Sequence, residues 1–210
     1  MKLQLPDSDI TYFSNFLDYE NASSYFELLK STVPWRQDEI RVYGKIYPQP
    51  RLTALYGNNN QSYSYSGITM QPLPFTETIL VLKTKLSEVT PVNFTSCLLN
   101  LYRDGKDSNG WHSDDEKELG KNPVIASVSL GQQRYFHLKH KKLKDLKYKI
   151  LLEHGSLLLM SGQTQHYWLH QIAKTAKPIG ERINLTFRVI PYKKIYLEKS
   201  IFFLYHLQRS

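Results

Sequence analysis

The chain has 210 residues, one cysteine and a formal net charge of +8, so it is long enough to bury a core without disulfides or a structural zinc. A lone Cys97 excludes an internal disulfide framework and a cysteine-rich metal site, and it favours a reducing compartment. No apolar run is long enough to span a membrane, and from the first residues we expect no signal peptide. We therefore expect a soluble intracellular protein (cytoplasmic if bacterial) with no membrane partner, no obligate protein partner and, because of its charge, a polyanionic ligand.

The N-terminal elements have the pattern of an outer scaffold. Turn residues at positions 6–9 precede an apolar-periodic stretch that includes Phe13. Polar residues at positions 21–24 are the predicted N-terminal cap of a short helix carrying Phe26 and Leu29. Strand-like pieces at positions 40–43 and 52–56 then enclose a loop with Gly44, Pro48 and Pro50.

A tyrosine-rich ribbon and an amphipathic helix follow. Alternation places Tyr63 and Tyr65 on one face of a strand. The periodic stretch at positions 74–89 predicts a helix with Ile79, Leu82 and Leu86 on one stripe, and we expect this helix to pack on the outside of a sheet.

Most of the remaining chain has strand character. The predicted strands lie at positions 94–102, 124–130, 134–140, 149–153, 156–160, 166–171 and 183–190. Many strands and one strong helix predict a mainly β (α+β) chain, built as a two-sheet, barrel-like jelly roll with its site in the mouth. One connection is rich in lysine, and it is either a solvated hairpin or an edge that contacts phosphates (Lys139, Lys141, Lys142, Lys144, Lys147 and Lys149).

Candidate metal ligands follow the strand at positions 94–102. His112 and Asp114 flank Ser113, and a distant second histidine would complete a 2-His-1-carboxylate site, which leaves three positions of Fe(II) open. His170 and its rival His166 are the candidates for that second histidine, since both share parity on one predicted strand. A solvated loop is the alternative interpretation of the His-x-Asp pair.

The last predicted strand carries two arginines. Positions 182, 184, 186 and 188 share one strand face, which places Arg182 and Arg188 on the same side. A planar guanidinium suits bidentate binding of a carboxylate, as an acidic co-substrate would require. The alternative is a charged strand face paired with nearby acidic residues.

Taken together these motifs resemble a known family, the AlkB-type Fe(II)/2-oxoglutarate dioxygenases, between about residues 42 and 190. The matching motifs are Asn100-x-Tyr102, His112-x-Asp114, the late His170 and Arg182-x-Asn184-x-Thr186-Phe187-Arg188. The resemblance implies a double-stranded β-helix core at residues 94–190 with flanking helices, within a single domain at residues 1–210. It also implies a nucleotide-recognition lid at residues 39–70, and a basic tail at residues 191–210 lies beyond the match.

The resemblance also implies the ligands of the site. Fe(II), 2-oxoglutarate and O2 are the cofactor and co-substrates, with His112, Asp114 and His170 on the metal. Arg182 and Arg188 are expected to bind the two ends of 2-oxoglutarate. Their expected hydrogen-bonding partners are Asn100, Tyr102 and Asn184.

The implied reaction is oxidative demethylation of flipped bases such as 1-methyladenine and 3-methylcytosine in DNA, with release of formaldehyde. Related enzymes acting on RNA, protein or small molecules are the alternatives, as is a basic nucleic-acid-binding protein without catalysis. The match is closest to the members that act on duplex DNA. The expected base and lesion contacts are Tyr65 (stacking), Tyr63 (hydrogen bonding), Tyr43 (gap filling, where the family has Phe), Arg51 (near the lesion gap), and Asp115 and Glu116 (near the exocyclic amine, unless they are solvated loop carboxylates).

Overall fold

The structure is a computed structural model that describes residues 1–42, 44–58, 63–65 and 68–191, with only the backbone described at 41, 42, 63–65 and 68. Tyr43 and the tail from residue 192 onward therefore lie outside the described residues, and so do the side chains of Tyr63 and Tyr65. Within the described part of the chain, no helix is both long and apolar enough to cross a lipid bilayer.

Strands dominate the described chain. The strands are β1 Asp9–Phe13, β2 Glu39–Val42, β3 Lys45–Pro48, β4 Leu52–Gly57, β5 Tyr63–Tyr65, β6 Ile68–Met70, β7 Ser96–Tyr102, β8 Asn109–His112, β9 Ile125–Gly131, β10 Arg134–His140, β11 Lys147–Leu152, β12 Ser156–Ser161, β13 Trp168–Ile172 and β14 Arg182–Arg188. The helices are α1 Tyr19–Thr32, α2 Glu77–Leu86 and the single turn α3 Thr164–Tyr167, with a short 3-10 turn at Lys117–Leu119.

Two antiparallel sheets form the jelly roll that the sequence predicts. The larger has the strand order β1-β12-β9-β14-β7-β4 and the smaller has the order β11-β10-β13-β8. Their facing sides share one apolar cluster, in which Leu98 and Leu158 of the larger sheet meet Phe136 and Trp168 of the smaller. Two hairpins, β2–β3 and β5–β6, stand apart from both sheets in the pairing pattern.

The other face of the larger sheet is covered by the two long helices. Ile79, Leu82 and Leu86 of α2 are fully buried in a cluster with residues of that sheet, as the predicted stripe requires. The α2 helix begins where Thr76 accepts a hydrogen bond from the Ile79 amide at 3.4 Å. The larger sheet is therefore buried on both faces, which explains why every residue of β7 is buried.

Two local predictions were wrong. The cap of α1 is Asp18, whose carboxylate accepts from the Asn21 amide at 2.8 Å, so residues 21–24 are helical rather than a cap. The loop expected around Gly44 contains strand β3, which pairs with β2 across a turn where Gly44 has a φ of +80°. The apolar-periodic stretch near Phe13 is an edge strand, β1, of the larger sheet.

The predicted strand at positions 166–171 was wrong in its first part. Residues Thr164–Tyr167 form a helical turn, and the strand begins only at Trp168. The shared parity of His166 and His170 is therefore absent. The His166 imidazole instead lies 2.9 Å from Asn122 Oδ1 at an exposed position.

Candidate metal centre and co-substrate pocket

The pocket lies between the two sheets, and strands β7, β8, β9, β13 and β14 all contribute polar side chains to it. His112 at the end of β8 pairs in register with His170 on β13, so the two rings lie 4.2 Å apart between centroids. Asp114 follows on the loop after β8. One ligand atom from each of His112, Asp114 and His170 lies within 4.8 Å of the others.

Hydrogen bonding fixes how His112 presents its ring. Nδ1 of His112 donates to the carbonyl of Gly110 at 2.7 Å, because a carbonyl can only accept. The lone pair therefore resides on Nε2, which accepts from Asn109 Nδ2 at 3.2 Å. Such a carbonyl partner on the far ring nitrogen is what orients metal-binding histidines.

Both histidines are neutral near pH 7. Burial lowers the pKa of His112, although the neighbouring Asp114 opposes the shift. Burial and the adjacent His112 lower the pKa of His170 to about 3. The His170 ring also stacks on Phe136, with centroids 5.0 Å apart.

Asp114 is ionised despite being buried. Burial alone would raise the pKa of this carboxyl group, but Arg188 and the two histidines outweigh burial and hold the pKa at about 2. Nη2 of Arg188 donates to Oδ1 at 2.7 Å. The other oxygen, Oδ2, lies 3.9 Å from Nε2 of His170. The carboxylate is thus held on one side by a guanidinium and turned toward the histidines on the other.

Arg182 lies in the same pocket and is 1% exposed. Its Nη2 donates to Ser129 Oγ at 2.9 Å. Its Nε and Nη1 are buried and have no hydrogen-bond partner among the described residues. Burial lowers the pKa of Arg182 to about 10. Buried donors without an acceptor are costly, and a carboxylate in the pocket would satisfy them.

The donor set therefore fits the expected metal and co-substrate. Two neutral imidazoles and one carboxylate make up the facial set that Fe(II) oxygenases use. A buried guanidinium with unsatisfied donors in the same pocket suits an acidic co-substrate.

The structure brings the other expected co-substrate residues into this pocket as well. Asn100, Tyr102 and Asn184 all line it. Both amide hydrogens of Asn184 are committed, to Ser127 Oγ at 2.7 Å and to the Val128 carbonyl at 3.0 Å. Asn184 therefore orders the pocket wall. The centroid of the Tyr102 ring lies 5.3 Å from Cζ of the Arg182 guanidinium.

The expected base-contacting residues are more dispersed. Arg51 is 3% exposed and forms part of the pocket wall, where Nε donates to Asn100 Oδ1 at 2.7 Å and Nη1 to the Ser108 carbonyl at 3.1 Å. Asp115 is exposed and paired with Lys141 at 3.0 Å, and Glu116 is half-buried.

Sequence reasoning missed several residues that support the site. Gln165 is buried and accepts the Asp114 amide at 2.9 Å, and Ser129 anchors Arg182. Neither residue type carries a motif of its own. The inward position of Phe136 beside His170 does follow from the alternation of β10.

The fold and the geometry define a class of protein. A His-Asp-His cluster beside a buried arginine, in the mouth of a two-sheet jelly roll, is the arrangement of a mononuclear non-haem iron dioxygenase that takes a 2-oxo acid. The profile of the 2OG-Fe(II) oxygenase superfamily matches residues 9–188.

Related sequences narrow the class. The alpha-ketoglutarate-dependent dioxygenase alkB homolog 3 of Bos taurus is 45% identical over 184 residues, which are 83% of this chain and 64% of the relative. DNA oxidative demethylase ALKBH2 of Mus musculus is 37% identical over 164 residues, which are 74% of this chain and 69% of the relative. The chain belongs to the 2OG-Fe(II) oxygenase superfamily and, within it, to the AlkB-type dioxygenases, whose cofactor is Fe(II) and whose co-substrates are 2-oxoglutarate and O2.

The chain spans a little under two thirds, 64%, of the length of the Bos taurus relative. Among solved structures, OsALKBH1 has a TM-score of 0.63 at 17% identity and covers 89% of this chain and 100% of that one, which supports the fold alone.

Proposed function

We propose that this protein removes N-alkyl groups such as those of 1-methyladenine and 3-methylcytosine from DNA by oxidation, with release of formaldehyde. One observation carries the proposal: a single pocket holds the His112, Asp114 and His170 cluster together with the unsatisfied donors of Arg182. When bound, Fe(II) with 2-oxoglutarate and O2 supplies the oxidising chemistry that turns an N-methyl group into an unstable hydroxymethyl group.

The residues of the chain position the reactants. We assign His112, Asp114 and His170 to the metal, and Arg182 to the far carboxylate of 2-oxoglutarate. Arg188 has a double assignment, because it already holds Asp114 at 2.7 Å and lies beside the place of the near carboxylate. The apolar wall that includes Phe136 keeps bulk water from the reacting centre.

A nucleic-acid substrate is supported by the printed names of the relatives and by charge. The Mus musculus relative is named a DNA oxidative demethylase. A base inside a duplex cannot reach a recessed metal, so the target must flip out, and a methylated base that cannot pair is cheap to flip. Within residues 39–70 we assign the hairpins β2–β3 and β5–β6 to a lid over this base, whereas β4 between them belongs to the larger sheet. The proposed contacts are Tyr65 and Tyr63, with Tyr43 as the residue that fills the gap.

The hairpin β2–β3 has the exposed apolar surface that a wedge between bases needs. Ile46 is 56% exposed and Tyr47 is 47% exposed. Isolated apolar side chains on a surface are common, but two on one hairpin of a basic protein suit insertion beside a flipped base.

The smaller sheet adds a basic edge with aromatic rings. Lys139 Nζ lies 4.3 Å from the ring centroid of Trp111, and Lys149 Nζ lies 5.1 Å from that of Tyr135. Both rings are partly exposed. Lysines beside exposed rings suit phosphate neutralisation together with base stacking.

Substrate-dependent turnover of 2-oxoglutarate tests the proposal. Oligonucleotides with 3-methylcytosine should stimulate turnover, and unmethylated oligonucleotides and methylated peptides should not. Stimulation by methylated RNA but not by methylated DNA would favour the RNA-directed alternative. Stimulation by peptides alone would reject a nucleic-acid demethylase.

A further inference from the structure

The loop that carries Asp114 is held from outside the pocket by a lysine. Lys141, in the connection that follows β10, donates from Nζ to Ser113 Oγ at 2.8 Å and to Asp115 Oδ2 at 3.0 Å. These two acceptors belong to the residues on either side of Asp114. The ammonium group of Lys141 is therefore bonded to both neighbours of Asp114, the residue that we assign to the metal.

The third donor of the same ammonium group reaches the helical turn α3. Nζ of Lys141 donates to the carbonyl of Gln165 at 2.9 Å, so three acceptors occupy its three donors. The Lys141 amide also donates to the Tyr167 carbonyl at 2.7 Å. The lysine side chain is only 26% exposed. Three protein acceptors thus hold the ammonium group at this position.

Gln165 completes the connection from the inside. Its side-chain Oε1 accepts the Asp114 amide at 2.9 Å, while its own carbonyl accepts from Lys141. Gln165 is 1% exposed and lies one short turn before β13, the strand that carries His170. Asp114 is thus tied through Gln165 to the element that leads to His170.

We propose that Lys141 is a positioning residue for the metal centre, which fixes the Ser113–Asp115 backbone so that the Asp114 carboxylate meets the two histidines. This inference rests on the proposed metal assignment of His112, Asp114 and His170. It also gives Asp115 a partner within the protein, in place of a direct contact with the base.

Charge and positioning make opposite predictions for this lysine. Removing a positive charge near the site should by itself strengthen the binding of a cation. Removing a residue that positions the metal ligands should weaken cation binding, because groups that orient metal ligands typically contribute 10- to 100-fold to affinity. A weaker affinity in a charge-removing variant can therefore be attributed to lost positioning.

The test compares Lys141→Met with Lys142→Met in the full chain. Lys142 is a matched control because it lies in the same connection with its ammonium 5.3 Å from the Tyr167 ring. Co(II) is titrated anaerobically without substrate, and its visible absorption reports both affinity and coordination. Thermal unfolding of the metal-free variants is followed in parallel.

We expect Lys141→Met to weaken Co(II) binding about tenfold and to change the absorption spectrum, while Lys142→Met binds as tightly as the wild type or more tightly. Ser113→Ala, which removes one bond and no charge, should weaken binding by a smaller factor. Wild-type affinity and spectrum in Lys141→Met, or equal losses in Lys141→Met and Lys142→Met, would overturn the inference. Because no nucleic acid is present, a failed demethylase assignment would leave this result unchanged.

Discussion

The proposed metal ligands are already in the protonation states that bind a divalent cation. The imidazoles of His112 and His170 are neutral near pH 7, and the carboxyl group of Asp114 is ionised. Burial lowers the pKa of both imidazoles, to about 3 for His170, and Arg188 with the two histidines holds the pKa of Asp114 at about 2 against the opposing effect of burial. At pH 7 these lowered pKa values reduce the number of protons that a metal ion must displace from the site.

Alanine substitution separates the metal assignment from its rival. His112→Ala, Asp114→Ala or His170→Ala should abolish turnover and Co(II) binding while the fold remains, since two ligands hold Fe(II) poorly. His166→Ala is the matched control and should retain most activity, because its imidazole is exposed and bonded to Asn122. If His166→Ala abolished turnover and His170→Ala did not, the ligand assignment would be wrong.

Arg182 makes a separate prediction about the co-substrate. Arg182→Met leaves the far carboxylate of 2-oxoglutarate without its charge partner, at a cost of roughly 2–5 kcal/mol by analogy with truncated buried pairs. The apparent affinity for 2-oxoglutarate, measured from turnover against its concentration, should fall at least tenfold.

The control for this prediction is Arg36→Met, since the Arg36 side chain is 72% exposed. In the ligand-free protein, Arg182→Met should not lower the melting temperature, because it removes a buried guanidinium with unsatisfied donors. An unchanged saturation curve for Arg182→Met would reject its co-substrate role.

Some residues of the site can be predicted from the sequence and others cannot. His112 and Asp114 stand in a recognisable spacing, and the alternation of β14 places Arg182 and Arg188 on one face. Lys141 and Gln165 belong to no motif. Their hydrogen bonds exist only because the fold brings β10, α3 and the loop after β8 together.

At the scale of elements, the sequence predicts what local periodicity decides. The α2 helix follows its apolar stripe, and β10 spans the predicted residues Arg134–His140. Strand β8 has no alternating pattern to reveal it, and it is a strand because β13 pairs with it. The α3 turn interrupts what looked like one strand, so the parity argument failed for His166.

The hairpin β10–β11 carries a prediction about phosphate contacts. If the exposed Lys147 and Lys149 contact the DNA backbone, replacing both by alanine should lower the salt slope of DNA binding by about 0.9 for each lost contact. Binding should weaken equally for all DNA sequences, since phosphate contacts carry no sequence information.

A double alanine variant at Lys83 and Lys85 is the control, because α2 packs on the other face of the larger sheet. It should have the wild-type salt slope. If the double alanine variant at Lys147 and Lys149 also has the wild-type salt slope of DNA binding, these two lysines are ordinary solvated side chains.

For the whole molecule, the arrangement of layers places the site. Helices cover one face of the larger sheet and the smaller sheet covers the other, so the polar face of β14 is enclosed between the two sheets. Buried polar side chains at alternate positions of β14 are unfavourable for a core and suit a ligand pocket. The two hairpins outside the sheets supply the proposed lid.

The lid assignment predicts different substrate effects for two tyrosines. Tyr43→Ala should cost duplex repair roughly five- to a hundredfold, given that stacking is worth about 1–3 kcal/mol, and should spare a single strand, which has no gap to fill. Tyr65→Ala should damage repair of both. The measurement is the ratio of duplex to single-strand repair rates, and equal losses on both substrates for Tyr43→Ala would remove the support for a duplex preference.

Formaldehyde release in a single turnover tests the central claim most directly. The protein is loaded with Fe(II) and 2-oxoglutarate without oxygen and then exposed to air with a 3-methylcytosine oligonucleotide. We predict one formaldehyde and one unmodified cytosine for each 2-oxoglutarate consumed in repair, and neither product when 2-oxoglutarate is omitted. Consumption of 2-oxoglutarate with the methylated base left intact would contradict the account.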